Sequence, residues 1–89
     1  MLESQIEIIN KLGLHARAAA KLVKIASSFS SSIEIEKEDQ RVNAKSIMSV
    51  MMLAASRGNI ITIYTQGTEA NKAMDAVESL INDKFGEPE

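Results

Sequence analysis

Short runs with apolar residues at every second position alternate along this chain with longer runs at helical spacing, and that alternation leaves few architectures open. Gln5-Ile6-Glu7-Ile8 has the period of a half-buried strand. Asn10, Lys11 and Gly13 form a turn signal ahead of a helical run over Ala16 to Ala26. In that run Ala19, Leu22, Val23 and Ala26 share one stripe, with Lys21 and Lys24 toward solvent. Ser27-Ser28-Phe29-Ser30-Ser31-Ser32 ends the helix, and Phe29 is expected to anchor this run in the core. Ile33-Glu34-Ile35-Glu36 is a second strand, followed by a turn at Glu38-Asp39-Gln40 and a short strand at Arg41-Val42. A second helix is expected over Lys45 to Ala55, closed by Arg57-Gly58-Asn59, and a fourth strand over Ile60 to Thr65. Gly67-Thr68 opens the last helix, with Thr68 as N-cap and Ala73, Met74, Val77, Leu80 and Ile81 as its buried face. Phe85 extends that face before Gly86 and Pro88 stop the helix. The order strand, helix, strand, strand, helix, strand, helix predicts an α+β fold. A mainly antiparallel sheet would carry its helices on one face, in a split βαβ arrangement.

With 89 residues the chain suits a single domain over 1–89. There is no cysteine and one histidine, so disulfides, thiolate nucleophiles and two-histidine metal sites are excluded and neither metal nor cofactor is expected. The one imidazole is left to carry any near-neutral proton or phosphoryl chemistry. The net charge of −2, with one Tyr, two Phe and no Trp, speaks against nucleic acid as a partner. No apolar run approaches a membrane span and no signal peptide is recognisable, so a cytoplasmic monomer is expected.

His15 follows Gly13-Leu14 and directly precedes the first helix. A helix start offers unpaired N–H groups and a partial positive charge, which suit an anion. Arg17 adds a planar fork matched to phosphate oxygens. Gly13 either lets a ligand approach the backbone or simply makes the turn. Two readings stand: a histidine that accepts a phosphoryl group, or a histidine that caps a helix beside a solvated arginine.

The second helix is apolar on nearly every face, although a helix lying on a sheet needs only one such face. If Val50 and Leu53 point inward, Ile47, Met48 and Met51 lie near the surface as a methionine-rich docking patch; otherwise all belong to the core. Ser46, at the start of this helix, is either its N-cap or a site where phosphorylation would add charge beside the patch.

Gly13-Leu14-His15-Ala16-Arg17 closely resembles the active-site signature of the HPr family, the histidine-containing phosphocarriers of the bacterial phosphoenolpyruvate-dependent phosphotransferase system. Asn43-Ala44-Lys45-Ser46-Ile47-Met48-Ser49-Val50-Met51-Met52-Leu53 resembles that family's serine-site region. The motif spacing, length and element order match as well, so the resemblance covers almost the whole chain. It implies an open-faced β-sandwich, with a four-stranded antiparallel sheet covered by three helices. It also implies that His15 takes a phosphoryl group on Nδ1 from Enzyme I and passes it to enzyme II A domains, while Arg17 balances charge. The protein is then a carrier and not an enzyme in its own right. Ala16, Ala20, Lys24, Ile47, Met48 and Met51 match the partner surface. Ser46 matches the site of the HPr kinase/phosphorylase. A nitrogen-related or purely regulatory branch with the same histidine chemistry is the alternative. Ala18 stands where many members have proline, and the tail Gly86-Glu87-Pro88-Glu89 also differs from many of them.

Overall fold

In the computed structural model, which describes residues 1–89, four strands pair into one antiparallel sheet. They are β1 (Leu2–Glu7), β2 (Ser32–Lys37), β3 (Gln40–Asn43) and β4 (Ile60–Gln66), in the order β1-β4-β2-β3. Register gives the sheet one apolar face. Ile6 pairs with Ile61, Ser4 with Ile63, Ile63 with Ile35, and Ile35 with Val42. The opposite face carries the rows Glu3–Tyr64–Glu34–Asn43 and Gln5–Thr62–Glu36–Arg41. A one-residue slip would exchange these faces, so the isoleucines specify the register.

Three helices cover the apolar face: α1 (Ala16–Ser27), α2 (Ile47–Met52) and α3 (Ala70–Asn82). In α1 Ala18, Ala19, Leu22 and Ala26 are buried, and their mostly small side chains let the helix lie close to α2 and α3. α3 packs Ala73, Met74, Val77 and Ile81 onto β4 and β1. Phe29 is half-buried against the core, as expected. No helix is long and apolar enough to cross a membrane.

The expected element order and fold class hold, while several boundaries move. β1 begins at Leu2 and stops before Ile8; Ser4 on its inner face had broken the apolar alternation. α2 has six residues instead of running from Lys45 to Ala55. The amides of Leu53 and Ala54 bond three residues back, to Val50 and Met51, and Ala54 turns to φ +51°, which ends the helix. Thr68 is not the N-cap of α3. Glu69 stands there in a left-handed conformation, and the Thr68 carbonyl instead accepts a bond from Ser31 Oγ at 2.5 Å. Phe85 is fully buried but not on an extension of α3. It lies in a 3-10 turn, Lys84–Gly86, at φ +56°.

Candidate functional site

The loop between β1 and α1 is shaped by Asn10 and Gly13. Asn10 is buried, and its Nδ2 donates to the Gly13 carbonyl at 2.8 Å and to Glu87 Oε1 at 3.0 Å. Gly13 sits at φ +65°, where a Cβ would come within 2.6 Å of the Ala55 carbonyl oxygen and 2.8 Å of Ser56 Cα. Gly13 therefore makes the turn and lies close against the backbone of Ala55 and Ser56. The Leu14 amide then bonds the Ala55 carbonyl at 2.9 Å, which pins the loop to the segment after α2.

This loop delivers His15 to the N-cap position of α1 in extended conformation, φ −71° and ψ 176°. His15 is thus the N-cap residue, but its ring makes no bond to the helix amides, and Arg17 is exposed. The amides of Ala16, Arg17 and Ala18 accordingly have no partner in the chain. His15 Nε2 contacts Glu87 Oε2, while Nδ1 makes no hydrogen bond. Arg17 lines the same cleft as His15, and none of the chain's four ion pairs uses it.

Glu87 is the residue that sequence reasoning missed. It lies 72 positions from His15, in a tail whose Gly, Pro and Glu content reads as loop. Buried Phe85 brings the tail back, and Lys21 Nζ donates to the Phe85 carbonyl at 2.6 Å. Lys21, expected simply to face solvent, thus holds the turn that positions Glu87. Leu12, 66 % exposed, also lines the cleft and was not singled out. The side chain of Glu87 is 14 % exposed, and this desolvation is the largest single influence on its carboxyl, raising its pKa. Hydrogen bonds from Asn10 and His15, then the charges of His15 and Lys21, together outweigh it and hold the carboxyl below its ordinary 4.5.

A carboxyl held low in the folded state stabilises it above the unfolded value, and that stabilisation is lost as pH falls through the folded one. Wild-type protein is therefore expected to melt higher than Glu87→Gln above about pH 4.5, with the gap closing below it. Thermal melts of both across a pH series check this.

Ala16, Ala20 and Lys24 are exposed on α1, and Ile47, Met48 and Met51 are exposed on α2. Val50 and Leu53 point inward, as the docking-patch reading required, and Met52 joins the exposed set at 67 %. Ser46 occupies the N-cap position of α2, but its hydroxyl donates to Ser49 Oγ at 3.0 Å and its oxygen accepts no bond from the helix amides. The structure contains no cluster of three or more carboxylate or imidazole groups able to hold a metal ion.

Residues 2–83 match the family model described as the PTS HPr component phosphorylation site. The chain is 54 % identical over 89 residues to a phosphocarrier protein HPr of Neisseria meningitidis, covering 100 % of both. It is 43 % identical over 86 residues to a phosphocarrier protein NPr of Shewanella violacea, covering 97 % of this chain and 94 % of that one. The crystal structure of HPr from Thermoanaerobacter tengcongensis superposes with a TM-score of 0.96 at 49 % identity, covering 100 % of both chains. The chain therefore belongs to the HPr family, the phosphocarrier proteins of the phosphotransferase system.

Proposed function

We propose that His15 accepts a phosphoryl group on Nδ1 from phosphorylated Enzyme I and hands it to an enzyme II A domain. One observation carries the reading. The only imidazole of the chain sits at the mouth of α1 with Nδ1 unbonded, beside unpartnered amides and an arginine with no carboxylate. The amides and Arg17 supply positive potential where the phosphoryl oxygens arrive, and they are already in place before transfer. The site is shallow enough for donor and acceptor to reach it in turn. Ala16, Ala20 and Lys24, with Ile47, Met48 and Met51, form the shared docking face, where methionine adapts to different partners. The protein acts in the cytoplasm as a monomeric carrier within one domain.

Incubation with phosphoenolpyruvate and Enzyme I is expected to leave one acid-labile phosphoryl group on each chain; no adduct, or an acid-stable one, contradicts the reading. Adding candidate enzyme II A domains of the sugar-transport and nitrogen-related types to the labelled protein then identifies the acceptor.

Ser46 supports a regulatory role on the same surface. Its hydroxyl is tied only to Ser49, and Ile47 and Met48 follow it on the exposed patch. A phosphoryl group there adds about −1.5 to −2 charge and opposes an acidic partner. An ATP-dependent HPr kinase/phosphorylase is expected to give an acid-stable adduct that is lost in Ser46→Ala. Failure to label wild-type protein removes this role and leaves the carrier role standing.

A further inference from the structure

We propose that Glu87, aimed by Asn10, is a positioning residue for phosphoryl transfer: it holds the proton on His15 Nε2 and so keeps Nδ1 as the ring's nucleophile and leaving atom. The inference rests on the reading of His15 as phosphoryl acceptor. Three observations carry it.

Glu87 Oε2 contacts Nε2, and an ionised carboxylate can only accept a hydrogen bond, so Nε2 is the donor. In the neutral ring this places the lone pair on Nδ1, because the bond made at one nitrogen sets the role of the other. The carboxylate itself cannot drift, since its second oxygen, Oε1, accepts from Asn10 Nδ2 at 3.0 Å. The orientation of the Asn10 amide is fixed in turn. Nδ2 faces two acceptors, the Gly13 carbonyl and Glu87, and a flipped amide would turn its oxygen onto both. That orientation is kept although it leaves Oδ1 buried without a partner. An orphaned buried acceptor is costly and calls for a compensating role. Here the role is to aim Glu87.

The same contact serves both legs of the transfer. On uptake the Nδ1 lone pair forms the N–P bond as the donor's bond to phosphorus breaks, and Nε2 keeps its proton. The ring thereby becomes cationic, with the Glu87 carboxylate against it. On release the N–P bond breaks with its electron pair returning to Nδ1, and neutral imidazole leaves. Had Nε2 lost its proton, the leaving group would be an imidazolate anion, which is far poorer. No proton enters or leaves in either direction, so the carrier works reversibly without a separate acid or base.

Heteronuclear NMR of protein with isotope-labelled imidazole nitrogens reads the tautomer directly, in wild type, Glu87→Gln and Glu87→Ala. Wild type is expected to show protonated Nε2 and bare Nδ1 in the neutral ring. The variants should shift the Nδ1–H share upward by about tenfold. Their kcat for phosphoryl uptake from Enzyme I should fall by a similar factor, with the KM little changed, and Glu87→Asp should recover part of it. Unchanged tautomer ratios and kcat in both variants would overturn the proposal. A rise in KM alone would overturn it too, because that marks a docking role. The tautomer measurement needs no partner, so it stands apart from a failure of wild-type protein to accept phosphate, which would refute the carrier reading itself.

Discussion

Replacing His15 with alanine is expected to abolish phosphoryl uptake outright while leaving the fold in place. The chain holds one histidine and no cysteine, so no other side chain can supply an equivalent near-neutral nucleophile. The ring contributes little to the core: its side chain is 28 % exposed, and its one polar contact is with Glu87. Losing a hydrogen bond to a charged group costs about 1.5–3 kcal/mol, and less where water reaches the site. That leaves a domain of ordinary stability folded. Phosphate transfer and a thermal melt on the same sample separate the two effects: label absent, and melting point lowered by a few degrees.

Phe85→Ala is expected to have the reverse profile, a large loss of stability with a secondary loss of function. Phe85 is the largest fully buried side chain of the molecule. Truncating a buried Phe costs about 3–5 kcal/mol from transfer and cavity terms combined. In a chain of this size that lowers the melting point by about 15 °C or more. The backbone shows how strongly the ring is anchored. Lys84 and Phe85 both sit at positive φ, +57° and +56°, a conformation that costs a non-glycine residue about 1 kcal/mol or more. Burial of the ring overrides that strain. Without it the turn relaxes and the Lys21–Phe85 contact opens, so Glu87 loses its anchor near His15. Calorimetry measures the first effect, and loss of through-space contacts between Glu87 and His15 in NMR reports the second. Phe85→Leu should recover much of both.

The sheet and the exposed apolar patch on α2 were legible because they follow from local periodicity. Ile33 and Ile35, and Ile61 and Ile63, alternate cleanly and are all buried. Val50 and Leu53, three residues apart, turned inward and left Ile47, Met48 and Met51 outside. The position of His15 at a helix start was equally local. What was not legible depends on distant contacts or on unusual backbone. The Glu87 contact spans 72 positions and is set by Phe85 and Lys21, neither of which carries a local signal for it. Asn10 read as a turn former, and burial is what makes it a clamp. The early end of α2 and the N-cap of α3 both turn on left-handed residues, Ala54 and Glu69, which propensity disfavours. A polar Ser4 on the inner face of β1 hid that strand's first half, and in the structure its hydroxyl reaches Glu78 on α3 at 2.7 Å.

The central claim is that one nitrogen of one residue carries the phosphoryl group. Phosphorus–nitrogen coupling, measured by NMR on protein with isotope-labelled imidazole nitrogens after phosphorylation by Enzyme I, tests it directly. The predicted result is phosphorus bonded to Nδ1 of His15, with the proton still on Nε2. Phosphorus bonded to Nε2, or to no histidine nitrogen, would contradict it.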